Sequence, residues 1–326
     1  MAFFRLDMDH HVFDSFRFIK VIMMDSRKIV AFFMFLVLCS CSDNTFKEDI
    51  VFAGGVVASS DDLNAGKMIY TESCMACHGV KGDGKGVAHK GLQVPPRDFT
   101  QGIYKFGHVL AGELPHDRDF YKLLKDGLHG TAMLPWDLSE KQMYQVMQYV
   151  KTFARDTWEG KEKELGVRIV PTKDPYGLAH KQAAIKRGEE VFHVEAQCQS
   201  CHRAYISHQE FSDLNEKAYG DSLSSNEMDP LMYKVKPQPS DYGFNTLPPD
   251  FTWHHIRSGY ELEDIYIRLV AGVGGAAMPS WKDVLSDEDI WAVSHYVDYL
   301  VDLKNNPERR KLMNEIEAKN KEFKNK

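Results

Sequence analysis

The sequence predicts an all-α protein in which one small helical unit occurs twice. Three observations lead there. Cys-x-x-Cys-His is spelled at residues 74–78 ("CMACH") and again at 198–202 ("CQSCH"). Downstream of each copy, residues 119–133 and 264–278 align without a gap and share seven identities, ending in Ala132-Met133 and Ala277-Met278. Apolar residues then recur at helical spacing in 138–153 (Met143, Val146, Met147, Val150, Phe153) and in 285–300 (Ile290, Val293, Val297, Leu300).

Each unit begins with a short helical segment, 64–73 or 183–194, with Gly66 and Gly188 inside. The Cys-x-x-Cys-His motif follows, then a Gly/Pro-rich loop that reaches "PPRDFT" (95–100) or "PPDFT" (248–252). The aligned Gly-rich stretch comes next and a last helix closes the unit. Ser139 and Ser286 are its N-cap candidates, with Gln142 and Asp289 three residues on. Such self-similarity is an internal repeat.

The motif admits three chemistries. A thioredoxin-like dithiol sits after a strand in a βαβ pattern, and no β-rich run precedes either copy. A zinc site asks for four ligands and a second His close by; the first copy is followed by glycines instead. Cys-x-x-Cys-His is also the attachment signature of c-type haem, with both thiols in thioether bonds and the His as an iron ligand. An electron-carrying iron needs a sixth ligand, and the Met thioether is a usual one. All four cysteines outside the N-terminal run lie in these motifs, so none remains for a disulfide framework. "GVKGDGKG" after the first motif lacks the G-x-x-x-x-G-K-[ST] order of a phosphate loop.

On these residues each unit resembles a class I c-type cytochrome domain. The resemblance implies two tandem domains, at 60–155 and 183–303, each wrapped round one covalently bound haem c. It implies thioether attachment through Cys74 and Cys77, and through Cys198 and Cys201. Axial ligands would be His78 with Met133 and His202 with Met278. A Pro carbonyl near Pro95 or Pro248 would accept the proximal Nδ1–H and tune ring basicity. Met143 and Met147 lie on an apolar helix face and read as packing. His254 and His255 read as ordinary histidines, with replacement of Met278 as the lesser alternative. The implied function is transfer of single electrons between periplasmic or membrane-bound redox proteins. A di-haem peroxidase-like enzyme is the alternative; it would need a displaceable ligand on one iron.

Residues 23–28 are a short basic stretch, and "IVAFFMFLVL" (29–38) is an apolar run too short for a bilayer, followed by "CSC". This reads as an export signal in 1–40, with translation starting at Met23 or Met24. Residues 38–41 resemble a bacterial lipobox with Cys41 as the lipidated residue, which implies a lipid-anchored protein of the periplasm in a Gram-negative-type cell. Residues 41–59 then form a tether and 156–182 a polar linker.

The formal net charge is −7, yet the tail 304–326 carries eight basic and four acidic residues. The rest of the chain is therefore acidic, which argues against nucleic acid and for partners with basic patches. The tail reads as a solvated, frayed helix. Between His202 and Asp250 lie 28 residues more than between His78 and Asp98. This polar insertion, 203–247, is expected to fold over an edge of the second haem.

Overall fold

A computed structural model describes residues 45–324. The readings made on the export signal, Cys39 and Cys41 lie outside the described residues. Within them, one two-stranded hairpin is the sheet content and the rest is helix and loop. No described helix is long and apolar enough to cross a membrane.

Helix α1 (Ser60–Ser73) starts at Ser59, whose hydroxyl accepts from the Asp62 amide, and Asp61 and Asp62 complement its positive end. Helix α2 (Asp117–Asp126) ends at Gly127, and α3 (Glu140–Lys151) is capped by the Ser139/Gln142 box expected from sequence. The second unit repeats this with α4 (Lys181–Glu190), α6 (Leu262–Ala271) and α7 (Asp287–Asp302), the last capped by Ser286. An extra helix, α5 (His208–Tyr219), lies in the insertion, and α8 (Pro307–Lys324) closes the described chain.

The first and last helices of each unit cross at a glycine. A Cβ on Gly66 would stand 2.1 Å from the Gln145 carbonyl oxygen, and one on Gly188 would stand 2.1 Å from that of Ala292. Only glycine allows backbones this close. From Gly66 to Cys74 is eight residues, but from Gly188 to Cys198 it is ten. A single π turn at Val191–Glu195 and left-handed Gln197 (φ 48°) absorb the difference. The turn buries His193, whose Nδ1–H donates to Glu189 O at 2.9 Å while Nε2 accepts from the Tyr205 amide at 3.1 Å. Burial pushes His193 down to about 4, so it is a neutral core histidine.

Three segments differ from the sequence expectations. Residues 45–59 are not a loose tether: β1 (Ile50–Phe52) pairs antiparallel with β2 (Val56–Ala58), and Phe52 and Ala58 are fully buried with Leu63 and Trp158. The expected linker is pinned as well. Gly54 N donates to Lys163 O, Ile169 N to His108 O, and the Trp291 indole to Thr172 Oγ1. The tail is neither frayed nor merely solvated. Ile316 is buried, Leu312 and Met313 pack on the second core, and Asn320 Oδ1 accepts from the His208 amide at 2.7 Å. The Phe323 ring also packs on that of His208, a meeting of α8 with α5 that the sequence could not pair.

Candidate functional site: two matched Cys-x-x-Cys-His and Met loops

In the first unit α1 delivers Cys74, and Met75–His78 form one further helical turn ended by Gly79 (φ 82°). The glycine loop then folds back on that turn. Gly84 N donates to His78 O at 2.9 Å, Gly86 N to Cys77 O at 3.1 Å and Ala88 N to Ala76 O at 2.9 Å. "GVKGDGKG" thus covers the motif and does not face a phosphate. His78 Nδ1–H donates to Arg97 O at 3.0 Å. In the second unit Cys198–Ser200 form the equivalent turn, and His202 Nδ1–H donates to Pro249 O at 3.0 Å. Each acceptor directly precedes the Asp of "DFT". The expected proline carbonyl is present in the second unit; in the first, the extra residue Arg97 takes its place.

The insertion does for the second motif what the glycine loop does for the first. Lys236 N donates to Cys201 O at 2.9 Å, the counterpart of Gly86 on Cys77, and Ala204 N donates to Met232 O at 2.6 Å. Asp213, Glu216 and Asp221 face solvent.

The Met loops match closely. Gly127 and Gly272 share one conformation (φ 70°, ψ −166° and φ 73°, ψ −165°). Leu128 N donates to Met133 O and Val273 N to Met278 O. Trp136 N donates to Leu124 O and Trp281 N to Leu269 O, each at 2.9 Å. Leu-Pro after Met133 and Pro-Ser after Met278 therefore produce the same path. A Cβ on Gly127 would stand 2.6 Å from Met133 O, so this glycine is required by sterics as well as by φ. Met133 and Cys74 border one apolar cluster, and Met278 and Cys198 border the other.

The other candidates resolve simply. Met143 and Met147 are buried on the α3 face, as packing predicts. His254 Nδ1 accepts from the Asp250 amide at 2.9 Å, and His255 is exposed. Among the described residues, no three His, Cys, Asp or Glu side chains gather as a metal ion alone would require.

The residues fit a covalently held haem. Neither pair of thiols is joined as a disulfide. Burial pushes Cys74 up to about 11 and Cys198 up to about 12, with the neighbouring cysteine adding to each. Both proximal rings have Nδ1 fixed by a carbonyl, which sets the tautomer that presents Nε2 as a lone pair. Burial lowers the pKa of both rings and keeps them neutral, the ligating form. Trp136 Nε1 is buried with no hydrogen-bond partner among the described residues, a donor free to meet an acceptor on a bound group.

Sequence reasoning missed a group of cations between the units. Arg97 Cζ lies 3.7 Å from the centroid of the Tyr242 ring and Lys105 Nζ lies 5.3 Å from it, with Arg257 acting on both. The signal was present, since Arg97 is the one residue by which "PPRDFT" exceeds "PPDFT".

Helical units built round Cys-x-x-Cys-His turns and Met loops define a c-type cytochrome. More narrowly, the chain belongs to the family described as cytochrome c oxidase, cbb3-type, subunit III, whose pattern matches residues 61–150 and again 183–297. A solved chain from the reducing HAO-like protein complex of Kuenenia stuttgartiensis is similar, with 30% identity over 73% of this chain and 96% of that one, at a TM-score of 0.56. No curated protein matches.

Proposed function

We propose that this protein is a di-haem electron carrier, with haem c on Cys74 and Cys77 and on Cys198 and Cys201, and axial pairs His78/Met133 and His202/Met278. The bound group would supply reversible exchange of one electron between Fe(II) and Fe(III). The chain's part is to hold two ligands per iron, exclude water and set the potential through burial and charge. The observation that carries the reading is the equality of the two Met loops. A peroxidase-like enzyme needs one iron with a displaceable ligand, and the two loops share their glycine conformation, their Met-carbonyl hydrogen bond and their Trp anchor.

The acidic body suits partners with basic patches, and a similar chain is part of a reducing HAO-like protein complex. We place the protein outside the cytoplasm, in the periplasm, anchored through lipid on Cys41. Cys41→Ala should then release it from membranes while Cys39→Ala should not. The ligation test is spectroscopic. The oxidised protein should show the near-infrared sulfur-to-iron band for two haems, and Met133→Ala or Met278→Ala should remove half of it and open one haem to CO. Wild-type protein that bound CO at either iron would overturn the carrier reading in favour of the enzyme.

A further inference from the structure

The cations at the junction outnumber the carboxylates that act on them among the described residues. Arg97 belongs to the loop that holds His78, Lys105 to the strap that follows, and Arg257 to the second unit after its "DFT". The strap is fastened across: Gly274 N donates to Lys105 O at 3.1 Å and Ala111 N to Ala271 O at 2.8 Å. Tyr242, in the insertion, presents its ring to Arg97 and Lys105 while its hydroxyl donates to Gly274 O in the second Met loop. Three segments thus bring three positive side chains to one place, each partly buried.

None of the ion pairs found among the described residues engages any of the three. The nearest carboxylate in sequence, Asp98, is occupied by the Thr100 amide and hydroxyl. Burial, followed by Arg97 and Arg257, holds Lys105 down at about 8, and burial depresses Arg97 and Arg257 as well. Gathering like charges away from water is costly unless an anion joins them. Among the described residues Asp98 acts on Arg97 but no carboxylate acts on Lys105 or Arg257, so three cations meet one anion and the balance is open to a ligand.

The position says which ligand. Arg97 is the residue whose carbonyl holds the first proximal ring, and Tyr242 touches the loop that ends in Met278. The place therefore borders both Cys-x-x-Cys-His units, and haem carries two carboxylates on one edge. We propose that Arg97, Lys105 and Arg257 form a shared carboxylate-receiving site for haem propionates at the junction of the two units, through which each redox centre feels the charge of the other. The proposal rests on the reading that both units carry haem.

The test uses the intact, haem-loaded protein. Pyridine haemochrome analysis first counts haems, and a spectroelectrochemical titration then resolves the two potentials. Arg97→Met and Arg257→Met should each retain two haems and lower at least one potential by tenfold in its one-electron equilibrium, about 59 mV, because a lost positive charge favours Fe(III). Arg97→Lys should restore most of the shift, which a purely packing role on Tyr242 would not predict. Lys105→Met supplies a third arm should an arginine variant misfold. Two loaded haems with both potentials unmoved in all variants would overturn the site. A wild-type potential that shifts on replacing chloride by phosphate at equal ionic strength, and stops shifting in Arg97→Met, would assign the site to a free anion and overturn the propionate. Wild-type protein with fewer than two haems would instead defeat the underlying reading.

Discussion

Replacing Gly66 or Gly188 by alanine tests the frame on which both sites stand. In solvent-exposed helix the change would stabilise by about 1 kcal/mol. Here the added methyl would stand 2.1 Å from a carbonyl oxygen, and also 2.9 Å from Tyr149 Cβ at Gly66 and 2.7 Å from Tyr296 Cβ at Gly188. Ordinary contact begins near 3.4 Å, so the crossing helices must part by about 1 Å. The obstacle is backbone and cannot rotate away. Overpacking of this kind costs ~1–3 kcal/mol and sometimes more, which, against an obstacle that cannot rotate away, leaves a net loss of up to about 2 kcal/mol after the propensity gain. That corresponds to roughly 4–8 °C in Tm for a protein of this size. Thermal unfolding of the haem-loaded protein, followed by far-ultraviolet circular dichroism and by the Soret band, reads it. Gly91→Ala is the control, since nothing lies within 4 Å of its added carbon. Gly66→Ala and Gly188→Ala proteins that melt with the control would refute the close crossing.

Three further predictions concern the second unit. Burial, with Glu210 and Glu190 adding, pushes Glu189 up to about 7 from an ordinary 4.5. Between those values the native state keeps a proton that the unfolded chain has lost, so stability falls as pH rises through this window. Glu189→Gln should therefore gain about 3 kcal/mol over wild type at pH 8 and nothing at pH 4, measured by urea unfolding; equal gains at both would rule this out. Ile316→Ala should cost ~2–3 kcal/mol and expose His208–Tyr219 to hydrogen exchange, whereas a solvated tail would change stability by less than about 0.5 kcal/mol. Met232→Ala should loosen the segment over Cys201, admit water and lower the potential of the second haem alone, so an unmoved wave would return the insertion to a passive role.

The chemistry of this chain is written locally and its assembly is not. Cys-x-x-Cys-His, the glycine that frees the Met loop and the serine that caps α3 each act within a few residues, so their spacing shows in the sequence. The docking of α8 depends on Asn320 meeting His208, 112 positions apart, and the pinned linker on Thr172 meeting Trp291, 119 apart. No period of three or four residues encodes such a pair. The hairpin at 50–58 was missed because strands of three residues carry too little alternation to be recognised. Arg97 is the intermediate case. Its insertion into a repeated motif was visible, but its purpose requires Tyr242 and Arg257, which only the fold brings near.

The duplicated units also show how a repeat can diverge while its Met-loop geometry stays fixed. The first covers its motif with glycine amides close in sequence, a short loop that leaves the turn near solvent. The second uses Lys236 and Met232 from an insertion, which is itself braced by α5 and α8. One covering hydrogen bond corresponds, Lys236 on Cys201 for Gly86 on Cys77, but the second cover brings buried Met228 and Met232 with it. Burial disfavours the net positive charge of oxidised haem and raises its potential. The insertion's carboxylates would oppose this, but Asp213, Glu216 and Asp221 face water and salt, which screen them. Burial therefore prevails, and the second unit should hold its electron more tightly than the first. On the proposed di-haem reading, electrons entering at the first unit would run downhill across the junction occupied by Arg97, Lys105 and Arg257, which would give the chain a direction as well as a capacity of two.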